Sequence, residues 1–281
     1  MVLLVMLPSF ARAGTDYKFT HLNTGNSGLS FDGVTRIAQD SRGFIWIGTS
    51  HGLNRFDGRK FDIYGSRELG LVTDYVHCIF EDRNGDIWIG ADNGASRYDY
   101  RLDRFIPVRE KTEGGESIRN KVTFITEDNN GDICMLVNDQ GIFRYNISSG
   151  VLSCTSYEDI GFSGCRRMLF SRESGIWVSR YHVDLYRSQS GLENLKNDSW
   201  LECYRGDEIE AMFEGADGHI YVVSTENGIC ELTPPPNLRS GICSSFRRVR
   251  YSLMPISTGD AGYGLRPQVE FGDMTCSEPL P

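Results

Sequence analysis

Asp40-Ser-Arg-Gly-Phe-Ile-Trp-Ile-Gly-Thr49, followed by His51-Gly-Leu-Asn-Arg-Phe-Asp57, decides the fold, because the same wording returns along the chain. Asp82-Arg-Asn-Gly-Asp-Ile-Trp-Ile-Gly90 leads to Asn93-Gly-Ala-Ser-Arg-Tyr-Asp99, and Asp128-Asn-Asn-Gly-Asp-Ile-Cys-Met135 leads to Gln140-Gly-Ile-Phe-Arg-Tyr145. A worn fourth copy runs Ser174-Gly-Ile-Trp-Val178 with Leu185-Tyr186, and a fifth runs Asp217-Gly-His-Ile-Tyr-Val222 with Asn227-Gly-Ile229. The position of the first tryptophan recurs at 46, 88, 134, 177 and 221, in steps of 42, 46, 43 and 44. A fixed period of this size marks an array of supersecondary units, each too small to bury its faces alone.

Within one copy the pattern predicts four short strands. Val34-Thr-Arg-Ile-Ala-Gln39 and Phe44-Ile-Trp-Ile-Gly48 are joined by Asp40-Ser-Arg-Gly43, where Asp can bond backbone N–H groups and Gly supplies a positive φ. Gly52-Leu-Asn-Arg-Phe56 is the third strand and Lys60-Phe-Asp-Ile-Tyr64 the fourth, entered through Asp57-Gly58. Such short turns make neighbouring strands antiparallel, so each copy is a meander. Stacking the meanders radially buries both faces, which makes the chain an all-β β-propeller. About five blades are expected, near residues 34–64, 76–106, 122–154, 167–187 and 209–232, with an incomplete seven-bladed ring as the variant. Helical repeats of similar period are excluded by runs too short and without 3.6-residue spacing. The tryptophan-aspartate repeat is excluded because Ile follows Trp46 and Trp88.

Composition agrees with this reading. The 281 residues hold 31 Gly against 9 Pro, with 15 Phe, 13 Tyr and 4 Trp, a mixture suited to aromatic strands between tight turns. A formal charge of −9 argues against a general nucleic-acid binder. Residues 1–13 are read as the remnant of a secretory signal, since an apolar run ends in Ala11-Arg-Ala13. Later segments are too short in apolar residues to anchor the chain in a membrane. Eight cysteines, at 78, 134, 154, 165, 203, 230, 243 and 276, follow no metal-ligand spacing, so neither a metal nor a cofactor is expected. Cys78, Cys134 and Cys230 fall in strand patterns, where Cys is usually a small core residue.

The repeated residues read as framework. Trp46, Trp88 and Trp177 recur between apolar neighbours, so they are expected to pack between blades and not to stack on sugars. Asp40, Asp82 and Asp128 recur at a turn, which favours capping over acid catalysis or calcium binding. Arg55, Arg97 and Arg144 are expected to form blade-to-blade salt links. Ligand contacts in such folds come from loops that vary between copies. This selects His51, Asp92 and Asn138, near the second turn of three copies, together with the insert Glu110-Lys-Thr-Glu-Gly-Gly-Glu-Ser117. No catalytic constellation is recognisable.

The wording Asp-x-x-Gly-x-Ile-Trp-Ile-Gly-Thr-x-x-Gly-Leu-x-Arg-Phe/Tyr-Asp resembles the two-component regulator propeller repeat of Bacteroidetes hybrid two-component sensors. Phe19-Thr-His-Leu22 and Asn26-Ser-Gly-Leu-Ser30 also resemble the start of such sensors. The resemblance implies a periplasmic ligand-sensing module for a carbohydrate, whose intact parent would add a second propeller, a dimer mate, a membrane helix and a kinase. No kinase motif is recognisable on this chain. Residues 233–281, with Pro234-Pro-Pro236 and no sixth copy, read as a divergent tail, as expected of a fragment or a frameshift, with a natural five-bladed form as the alternative. The alternatives are a stand-alone interaction scaffold and a propeller lyase or glycosidase.

Overall fold

The computed structural model describes residues 20–67, 70–108, 117–161, 163–180, 184–188, 201–205, 208–225 and 228–232, and the short strands 246–248, 250–252 and 266–268. The apolar stretch 1–13, read from the sequence as a signal remnant, the insert up to residue 116, Cys243, Cys276 and most of 233–281 lie outside the described residues.

Five four-stranded antiparallel sheets follow one another along the chain. The first contains β1 (Val34–Gln39), β2 (Ile45–Thr49), β3 (Gly52–Phe56) and β4 (Phe61–Tyr64). The second contains β5 (Val76–Glu81), β6 (Ile87–Ala91), β7 (Gly94–Asp99) and β8 (Arg104–Pro107). The third runs from β9 (Val122–Glu127) through β10 (Ile133–Val137) and β11 (Gly141–Tyr145) to β12 (Leu152–Ser156). After a single helical turn, α1 (Tyr157–Ile160), the fourth comprises β13 (Cys165–Ser171), β14 (Gly175–Arg180), β15 (Asp184–Ser188) and β16 (Leu201–Arg205). The fifth comprises β17 (Ile209–Glu214), β18 (Ile220–Ser224), β19 (Gly228–Leu232) and β20 (Phe246–Arg248). Thus the fourth blade gains an outer strand beyond residue 187. The fifth takes its outer strand from the stretch read as divergent tail, where Phe246 pairs with Leu232. A last pair, β21 (Arg250–Ser252) and β22 (Arg266–Gln268), stands outside these sheets.

The first strands β1, β5, β9, β13 and β17 pack side by side around a central axis, which makes the architecture a β-propeller. Alternate residues of each central strand face opposite neighbours. Ile87 and Ile89 join Trp46, Tyr64, Tyr98 and Phe105 between the first two sheets, while Trp88 turns the other way to Val122 and Ile125. Trp46, Trp88 and Trp177 are fully buried. Among the described residues β17 does not pack back on β1. Ile37 of β1 is accordingly 66% exposed, where its counterpart Ile125 is 3% exposed.

The Asp-x-x-Gly turns form one rim, and each turn is tied to the next blade. Asp40 accepts from the backbone N–H groups of Arg42 and Phe44 and from Trp46 Nε1 at 2.7 Å; Asp82 does the same for Asn84, Asp86 and Trp88. In copy three, where Cys134 replaces the indole, Arg144 contacts Asp128 at 3.1 Å instead. The neighbouring glutamates act across blades: Glu81 accepts from Ser41 N and Oγ of the preceding sheet, Glu127 from Arg83 N, and Glu214 from Ser171 Oγ. Glu81→Ala should therefore lower stability by about 1 kcal/mol, read as a reduced urea midpoint with the far-UV spectrum unchanged.

The arginine expectation is met in one copy. Arg55 reaches Asp103 and Tyr98 of the second sheet as well as Asp62 of its own. Arg97 and Arg144 stay within their sheets, on Asp86 and on Asp128 and Asp132. Among the described residues Cys78, Cys134 and Cys165 are buried free thiols. Burial pushes Cys78 and Cys165 up to about 12, so these thiols are poor nucleophiles.

Candidate functional site

The rim opposite the Asp turns carries the linkers between sheets and the turns after the second strand, which hold His51, Asp92 and Asn138. Backbone bonds fasten those turns to the linkers: Gly52 N donates to Asp74 O, Asn138 N to Lys121 O, and Thr225 N to Glu208 O. Asp92 N donates to Thr73 Oγ1.

All five inner strands also carry a β-bulge where they meet this rim. The register skips Thr35, His77, Thr123, Arg166 and Glu210. A bulge leaves one residue unpaired and re-aims its side chain. Each of the five is polar or charged, so the inner strands end in a polar collar at the channel mouth. Thr35 Oγ1 donates to Val76 O at 2.7 Å, Arg166 contacts Glu208, and His77 Nε2 lies 2.7 Å from Asp92 Oδ1.

Two of the three sequence-selected residues, Asp92 and Asn138, share Lys121 as a neighbour. Asp92 meets His77 and lies 3.9 Å from Lys121 Nζ, and the carbonyl of Lys121 is the acceptor of Asn138 N. His51 stands apart from them, on the first sheet, with Nδ1 3.0 Å from Ser50 Oγ and its ring tilted against Phe31 at 4.2 Å between centroids. Tyr75 lies against His77 in the same way, at 4.7 Å. Phe31 is 39% and Tyr75 40% exposed, so two aromatic faces backed by imidazoles stand open on one rim. A cavity of about 670 Å³ is walled by Gly70, Leu71 and Val72 of the first linker, Asn93 and Gly94 of the turn after Asp92, and Pro107 of the outer strand β8, and neither aromatic pair lines it. Its size is that of a small-molecule site.

Sequence reasoning missed His77, Tyr75 and Phe31. His77 reads as a polar interruption inside a core strand, and only the bulge explains it. The aromatics lie in linkers that do not repeat. Among the described residues no group of His, Cys, Asp or Glu is arranged to hold a metal ion. None of the described helices is long and apolar enough to cross a membrane.

Residues 28–51 and 70–93 match the family model for the two component regulator propeller. These two segments are similar to two-component regulator propeller repeats. These two matched copies contain Phe31, His51, Tyr75, His77 and Asp92, the side chains that open on the collar rim. A stretch of 37 residues, 13% of this chain, is 54% identical to histidine kinase P4 of Formosa agariphila and covers 3% of that protein. The fold resembles the extracellular domain assigned to a hybrid two-component system of B. thetaiotaomicron (TM-score 0.64, 20% identity, 79% of this chain and 31% of that one). It also resembles virginiamycin B lyase of Staphylococcus aureus (TM-score 0.55, 18% identity, 79% of this chain and 76% of that one). The chain thus spans about a third of the extracellular domain it matches, and the same propeller architecture occurs in an enzyme.

Proposed function

We propose that this chain is a periplasmic ligand-sensing propeller module of a hybrid two-component system, and that its ligand is an oligosaccharide. The observation that carries the reading is the coincidence of the two matched repeat copies with the rim on which Phe31 and Tyr75 present open aromatic faces. A flat ring beside hydrogen-bonding groups suits a sugar, whose C–H face is apolar and whose edge is polar. His51, His77, Asp92 and Asn138 supply donors and acceptors at that edge. The chain itself acts as the binding part. In a longer parent the signal requires that ligand binds one arrangement of propeller and partner more tightly than another.

Calorimetry against a panel of neutral and acidic oligosaccharides tests this. Saturable binding of at least one member is expected, weakened at least tenfold by Tyr75→Ala while the thermal transition is kept. A folded chain that binds none of the panel overturns the reading. Catalytic turnover of a bound member favours the lyase or glycosidase alternative instead.

A further inference from the structure

The collar has a charge distribution at odds with the rest of the chain. The formal charge is −9, yet Arg36, Lys121, Arg166 and Arg167 gather at the channel mouth. Arg36, Cys78, Phe124, Arg167 and Ala211 occupy one level, since each is the first residue after the bulge of its inner strand. Burial raises the pKa of the Cys78 thiol, and the charges of both guanidiniums act on it in the opposite direction. Burial holds Arg167 below its ordinary pKa, and the positive charges of Arg166 and then Arg36 push it further the same way.

Among the described residues one carboxylate of the mouth, Glu210, reaches this pair, and only at Arg167. Asp92 is engaged by His77 and Lys121, and Glu208 by Arg166. Glu210 lies at 4.0 Å from Arg167 Nη2, the outer limit of an ion pair, while Arg167 Nε is spent on the Glu210 carbonyl at 2.9 Å. Arg36 has no carboxylate within ion-pair distance among the described residues; its Nη1 donates to the carbonyl of Thr35. The ring of Phe124 backs Arg167 at 5.6 Å, which orients the guanidinium. Opposite Arg167 in the register, the buried Ser179 hydroxyl has no hydrogen-bond partner among the described residues, an additional donor on the same face.

We infer that the channel mouth is an oxyanion seat, in which Arg36 and Arg167 together hold a carboxylate or sulfate group. Planar guanidinium forks match such groups by paired N–H donors, and a partly desolvated site strengthens the contact. The seat rests on the geometry alone. Its use for an acidic sugar, such as a uronate or a sulfated residue, rests on the sensor reading.

The test uses the whole chain with three probes at low millimolar concentration: inorganic sulfate, methyl glucuronide and methyl glucoside. Calorimetry should show saturable binding of sulfate or of the glucuronide, and tighter binding of the glucuronide than of the glucoside. Arg36→Gln, an exposed change, should weaken anion binding at least tenfold with an unchanged thermal midpoint. Arg59→Gln, on the opposite rim, should leave it unaltered. Anion binding that Arg36→Gln leaves intact overturns the seat, and so does a folded wild-type chain that binds neither anion. Loss of sulfate binding in Arg36→Gln on a chain that binds no oligosaccharide keeps the seat and removes the sugar-sensor reading. Tight binding of a neutral oligosaccharide, indifferent to Arg36→Gln, does the reverse.

Discussion

Trp46→Ala should lower the unfolding free energy by about 3–5 kcal/mol, a large part of the stability of any single domain. The indole is fully buried and lies between sheets: its ring is 5.8 Å from Tyr64 in its own blade, and 5.1 and 6.1 Å from Tyr98 and Phe105 in the next. Truncation leaves a cavity across a seam made of rigid aromatics, which cannot collapse as a flexible aliphatic core does. It also removes the Nε1 donor from Asp40 Oδ2, a nearly buried carboxylate whose other side-chain contact there is Tyr100 OH at 3.4 Å. Trp46→Phe separates the two causes, because it keeps most of the ring contact and loses the donor. Its cost should be smaller, about 1–3 kcal/mol. Urea unfolding followed by far-UV circular dichroism reads both. A Trp46→Ala midpoint equal to that of the unaltered chain would show that the seam does not depend on this ring.

The blade plan was legible because period, turn chemistry and strand pattern all repeat. The roles of Trp46 and Asp40 followed from recurrence, and their mutual bond was also available, as the spacing of six residues recurs at Asp82 and Trp88. The different fates of the three arginines were available too. Copies two and three carry Asp86 and Asp132 ahead of the second strand, where copy one has Phe44. Arg97 and Arg144 therefore find an acid at home, and Arg55 is left to bridge to Asp103.

The site was less legible, for a geometric reason. Which rim a loop occupies depends on which strand is innermost, and that is decided by packing between copies and not by pattern within one. His51, Asp92 and Asn138 do share a rim, but the residues that give Asp92 its setting, His77 and Lys121, lie at the start of inner strands. A period-two reading hides a bulge, so it turns His77 into a defect of a core strand. It likewise passes over Arg36 and Arg167, which share a level only through five bulges at the same place.

Gly90→Ala should be the second severe change, and its cause lies wholly in close approach. Gly90 occupies β6 with no positive φ to protect. A Cβ there would meet Cys78 Sγ at 2.4 Å and the backbone carbonyl of Val122, on the next sheet, at 2.6 Å. The thiol can turn aside, but the carbonyl belongs to an inner strand of the ring and can yield only if the second and third sheets move apart. Overpacking of this kind costs about 1–3 kcal/mol, occasionally more. Gly48 offers the contrast within the same motif. Its Cβ would meet side-chain atoms, Val76 Cγ1 at 2.6 Å and Thr35 Oγ1 at 3.2 Å, so Gly48→Ala should cost less. Cys78→Ala removes the sulfur and leaves the carbonyl in place. In a double-mutant cycle it should recover part of the Gly90→Ala loss and not all of it. Full recovery would assign the whole clash to the thiol, and a Gly90→Ala chain as stable as the parent would mean that the two sheets stand further apart than 2.6 Å from Cβ to carbonyl allows.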